Sequence, residues 1–116
     1  MTQMKPLVPD ATEQLQKELR LEEAKKIPNF VVNTFNRLIA RGFDKSNNTS
    51  IVYKREVVAK ILDDAEAQGI KVERNEIYTK HWLDVEPLFE EVGWSVRFNK
   101  QPYYETADDF FTFKRR

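Results

Sequence analysis

Gly93-Trp94-Ser95-Val96-Arg97-Phe98 decides the fold class of this chain. Trp94, Val96 and Phe98 alternate with Ser95 and Arg97, the period-two pattern of a strand with one buried face. Gly93 stands where a preceding helix would stop. Downstream, Phe110-Phe111-Thr112-Phe113 reads as a second strand, with alternate residues joining the same buried face. The turn-rich stretch Asn99–Asp109 between them is long for a hairpin loop, which makes it a candidate wing or binding loop. A C-terminal antiparallel strand pair follows.

Working back from Gly93, the pattern turns helical. Val85–Val92 reads as a helix with Asp84 as its N-cap and Pro87 in its first turn, where the missing N–H costs nothing. Residues 70–81 are ambiguous, with a short helix around Glu73–Thr79 as one reading. Val57, Val58, Ile61, Leu62 and Ala65 share one side of a helix that opens near Lys54 and stops at Gly69. Ile51-Val52-Tyr53 has the composition of a short strand. Asp44–Ser50, rich in Asn and Ser, reads as a loop. Ile27, Val31, Thr34 and Leu38, flanked by Phe35 and Ile39, form a wide apolar helical face that starts at Pro28 and stops at Arg41-Gly42.

The N-terminal part differs in kind. Residues 1–9 read as a loose arm. Asp10-Ala11-Thr12-Glu13 has the form of a capping box and opens a charged helix to about Lys26. Its seam is thin: Leu15 and Leu19 align, but Glu22 and Lys26 continue the same face. Such a helix is marginal alone and must dock on its own domain or on a partner, including a second copy of itself. The expected architecture is therefore a small, mostly helical α+β domain over residues 27–116, preceded by an extra helix. Its element order is close to that of a winged-helix domain.

Composition bounds the chemistry. The 116 residues are one domain's worth, with 41% hydrophobic and 33% charged residues, as in ordinary folded proteins. Cysteine is absent, so disulfides, thiolate metal sites and a cysteine nucleophile are excluded. No segment has the length and apolarity of a membrane span, and the start lacks the apolar run of a signal peptide, so the expectation is a cytoplasmic protein without membrane contact. Nineteen basic and nineteen acidic residues balance, which argues against a strong non-specific polyanion binder. The charges are unevenly placed: residues 28–60 carry a net of +4 and residues 61–113 a net of −7 before Lys114-Arg115-Arg116 restores the balance. Solvated faces are the ordinary explanation of such blocks.

No phosphate loop, dinucleotide fingerprint or nucleophile elbow occurs, and no cofactor is expected. His81, the single histidine, has Asp84 near it in sequence but no identifiable nucleophile, so a packed or surface role is expected. The pairs Asp63-Asp64 and Glu90-Glu91 diverge on their helices, and Asp108-Asp109 lacks further ligands, so no metal site is expected.

The residues left for binding fall into two sets. For a protein partner the candidates are Leu15 and Leu19 on the first helix, Glu86, Glu90 and Glu91 on the acidic helix, and Tyr103 and Tyr104 in the long loop. For nucleic acid they are Arg97, Lys100, Lys114, Arg115 and Arg116, which could hold a backbone beside stacking aromatics, together with the basic 28–60 segment. A recognition helix at Val85–Val92 would carry three glutamates and no cation, which opposes duplex readout by that element. A non-enzymatic binding module is the favoured reading, with a nucleic-acid-binding winged helix as the alternative.

The runs Ile27–Ile39, His81–Pro87, Gly93–Val96, Pro102–Glu105 and Phe111–Phe113 resemble small uncharacterised proteins encoded by tailed bacteriophages, over about residues 27–114. That resemblance implies synthesis in a bacterial host cytoplasm, and the binding-module reading extends to a phage factor acting on a host protein. The resemblance carries over no activity and no functional residues.

Overall fold

The apolar face between Ile27 and Ile39 becomes the centre of the molecule. In the computed structural model of the chain, which describes residues 5–102 and 108–116, helix α2 spans Asn29–Arg41 and buries Val31, Thr34, Phe35, Leu38 and Ile39. Pro28 sits one residue earlier than expected, at the N-cap, with extended ψ. Helix α3 (Lys54–Ala67) buries Val57, Val58, Ile61 and Ala65 as its periodicity requires, and Gly69 follows it in the left-handed region at φ 73°. One polar contact ties the two helices. Asp64 Oδ2 on α3 lies 2.5 Å from the Thr34 hydroxyl and 2.5 Å from an Arg37 guanidinium nitrogen, both on α2.

Between these helices lies a hairpin where a loop was expected. Strand β1 (Phe43–Asp44) pairs antiparallel with β2 (Thr49–Tyr53). Thr49 and Ser50 thus belong to a strand. The polar composition that reads as loop is the chemistry of the turn: Asp44 Oδ1 accepts from the Ser46 amide and hydroxyl at 2.9 and 2.7 Å, and Asn48 takes φ 56°. Ser50 is buried and satisfied, its hydroxyl donating to the Ile39 carbonyl at 2.8 Å.

Two short helices follow, α4 (Arg74–Thr79) and α5 (Glu86–Glu91). Asp84 is not the N-cap expected of it. Val85 occupies that position in helical geometry, and the Asp84 carboxylate faces His81 Nδ1 at 3.3 Å. Strands β3 (Trp94–Asn99) and β4 (Phe110–Arg115) complete an antiparallel sheet of order β1-β2-β4-β3. The sheet is larger than the strand pair expected at the C-terminus, because β2 joins β4 along its whole length. Its inner face carries Val52, Phe111 and Phe113 into the core, where Phe35 and Phe89 meet them. Trp94 and Val96 lie half-buried on the same side. Phe98 departs from the expected alternation: it is 39% exposed at the sheet edge, although its ring rests 4.9 Å from that of Phe111. An edge strand has a neighbour on one side only, so a shorter part of it reaches the helices.

Helix α1 (Thr12–Ala24) follows a 3-10 turn at Pro9–Ala11. The expected capping box does not form. Asp10 is inside that turn, Ala11 stands at the N-cap, and no side chain caps the helix. Helix α1 docks on α5, with Ala24 and the following Ile27 only 3% and 6% exposed in the core. The result is a small α+β domain. Among the described residues no helix is long and apolar enough to cross a membrane.

Candidate functional site

The docking of α1 on α5 makes a groove that neither helix contains alone. Leu19, Arg20, Glu23 and Ala24 form one wall, Glu86, Pro87 and Glu90 the other, and Lys26, Lys80, His81 and Asp84 complete the lining of a cavity of about 770 Å³. Leu19 is 52% exposed. It is large and apolar, and it points where the α1 seam stops burying residues. Leu15, its partner in the expected seam, is half-buried.

Charge in this groove is unevenly compensated. Lys26 pairs with Glu23 at 3.0 Å and Lys80 with Glu76 at 2.9 Å. Among the described residues no cation lies within ion-pair distance of Glu86 or Glu90. Burial pushes the Glu86 carboxyl above its ordinary value, and the neighbouring charges of Asp84 and Glu90 push in the same direction. Arg116 approaches α5 but donates to the backbone carbonyl of Glu90. Glu91 is exposed on the same helix outside the groove. Of the residues expected to meet a protein, the structure thus brings together Leu19, Glu86 and Glu90. Tyr103 and Tyr104 lie outside the described residues.

His81 ends α4 with φ 56°, and its pairing with Asp84 is exposed on the groove rim. The contact Lys80 makes from above the Trp82 ring, 5.6 Å from its centroid, fixes the same corner. Among the described residues no group of three or more His, Asp or Glu side chains is placed to hold a metal ion.

The residues expected to meet nucleic acid are divided between two faces. Strand register pairs Trp94 with Arg115, and Arg115 and Arg116 line a cleft of about 660 Å³ with Phe43, Val92 and Trp94 on the helix side of the sheet. Arg97 and Lys114 emerge on the opposite, outer side, as the alternation of the strands requires. Lys100 is exposed beyond the end of β3.

Sequence reasoning missed Arg20, Glu23 and Lys80 as groove residues. No signal marks them, because only tertiary docking brings residues near 20 and near 86 together. It also missed Tyr53 as a surface ring beside Phe110. There a signal existed: Val52 and Phe111 alternate inward, so their neighbours must face out. Comparison with protein families, with curated proteins and with solved structures finds no match to this chain.

Proposed function

We propose that the chain is a non-enzymatic protein-binding module, and that the α1–α5 groove takes a partner segment carrying Lys or Arg beside an apolar side chain. The observation that carries this reading is Glu86, a half-buried carboxylate at the groove wall whose neighbours Asp84 and Glu90 add to its unfavourable field. An incoming cation relieves that field, and Leu19 supplies apolar area for the same segment to cover. Helix α5 suits this role and not duplex recognition. It has three glutamates, no cation, and α1 lying against it. If the chain is phage-encoded, as expected from its sequence, the proposed partner is a bacterial host protein in the host cytoplasm. Affinity capture from nuclease-treated bacterial lysate, with the intact chain and with Leu19→Asp compared side by side, tests the proposal. A partner retained by the first and lost by the second supports it.

A further inference from the structure

The outer face of the sheet is built differently from every other surface of the domain. The helices meet its inner face, through Phe35 and Phe89 against Phe111 and Phe113. On the outer side Ile51 and Tyr53 are each 47% exposed. Register sets Tyr53 directly beside Phe110, and their ring centroids lie 5.9 Å apart. The exposed ring of Tyr53 and the half-buried ring of Phe110 therefore lie side by side at one end of the sheet. Toward the other end, Arg97 stands across from Thr112, and Lys114 lies between Thr49 and Ser95. The run from Phe110 to Lys114 covers about 14 Å of strand at ~3.4 Å per residue.

The charged side chains that β2, β3 and β4 set outward are two cations, Arg97 and Lys114. No outward position of β2, β3 or β4 is acidic. Asp44, across from Thr49 at the β1 edge, places an acid on the same face, and its hydrogen bonds from Ser46 hold its carboxyl below the ordinary value. Asp108 accepts the Arg55 amide at 2.7 Å, and Asp109 accepts the Gln101 amide at 2.7 Å and lies 3.9 Å from Lys54. We propose that this outer face, with Tyr53 and Phe110 as stacking rings and Arg97 and Lys114 as phosphate contacts, binds single-stranded nucleic acid. Bases offer a π-face to an exposed ring whatever their sequence, and the phosphates match the two outward cations. Duplex lacks the free base faces that the rings require. The site is separate from the α1–α5 groove and stands or falls independently of it.

Fluorescence anisotropy with labelled twelve-nucleotide oligothymidylate and oligouridylate, at low and moderate salt, tests the proposal on the full chain. The intact protein is expected to bind and to weaken as salt rises. The double variant R97E/K114E is expected to lose at least about tenfold in affinity, and Tyr53→Ala at least about fivefold, the low end for removing one stacked base. Leu19→Asp, which touches only the groove, is expected to bind as the intact protein does. All four substituted positions are exposed, and thermal melts of each variant confirm that it is folded. Absence of binding at low salt overturns the proposal. So does equal binding by R97E/K114E, or competition by duplex as strong as that by single strands.

Discussion

The ring of Phe35 meets that of Phe111 edge-on, with centroids 5.5 Å apart and planes at 89°. This contact joins the first long core helix to the central strand of the sheet. Both rings are among the largest fully buried side chains, and Phe35 also approaches Phe89 and Phe113. Phe35→Ala is expected to cost about 3–5 kcal/mol, the range for emptying a large aromatic site. Urea melts check it. Trp94, half-buried against Phe43 at a centroid distance of 6.0 Å, is expected to cost less when replaced by Ala. The reverse order would displace the core toward the sheet edge.

Asp64 is expected to matter more than its partner Arg37. Its carboxylate accepts from the guanidinium and from the buried Thr34 hydroxyl, whose one proton it shares with the Phe30 carbonyl at 2.8 Å, and its side chain is 18% exposed against 57% for Arg37. Asp64→Ala should lose about 1.5–3 kcal/mol, as for a hydrogen bond to a charged group. Arg37→Ala should lose under about 1 kcal/mol. Equal losses in chemical denaturation would mean that the ion pair, and not the Thr34 contact, is the valuable part.

Glu86 gives the domain a defined dependence on pH. Burial, with Asp84 and Glu90 adding to it, raises its carboxyl in the folded chain. A group raised in this way binds its proton more tightly folded than unfolded. Its contribution is whole below the unfolded value of about 4.3 and is lost as pH rises through the folded value. Glu86→Gln removes that loss. The melting temperature of the variant, relative to the intact chain, is expected to climb as pH is raised from about 4 to 7. A gap that stays constant or narrows would place the carboxylate in a favourable environment.

Helix α1 is expected to be a stabilising part of the domain and not an appendage. Ala24 and Ile27 are buried, and the helix lies along α5. Deleting residues 1–26 should lower the melting temperature while leaving one cooperative transition, since Phe35, Ile61, Phe111 and Phe113 remain. An unchanged melting temperature would show that the helix does not dock. Loss of the transition would show that the core needs residues before Ile27.

Much of this fold is legible in the residues, for identifiable reasons. The α2 and α3 faces show in their period because each buries one continuous stripe. Gly42 marks the end of α2 as expected, but for a different reason. Its φ is −94°, and what crowds a side chain there is the close approach of Ser50 Oγ and the Ile51 carbonyl, which a Cβ would meet at 3.2 and 3.3 Å. Strand β1 was hidden because two residues are too few for a period to register. The caps at Asp10 and Asp84 failed because neighbouring structure set those backbones first: a Pro9 turn in one case, the left-handed His81 in the other.

The binding surfaces were legible only in part. Glu86 and Glu90 stand out as charges on a helix, and Leu19 as an apolar residue on a charged one. Nothing local tells that they face each other across one groove, because that depends on how α1 docks on α5, which follows it by some sixty residues of chain. Arg97 and Arg115 look alike in sequence, yet strand alternation sends them to opposite faces.

Quantitative mass spectrometry of proteins captured from nuclease-treated bacterial lysate, by the intact chain and by Leu19→Asp and Glu90→Lys variants of equal thermal stability, bears most directly on the groove. The account predicts at least one protein enriched by the intact chain and depleted by about tenfold or more on both variants, and a peptide from its Lys- or Arg-bearing surface competing for the same site. Capture of the same proteins in the same amounts by all three chains would contradict it.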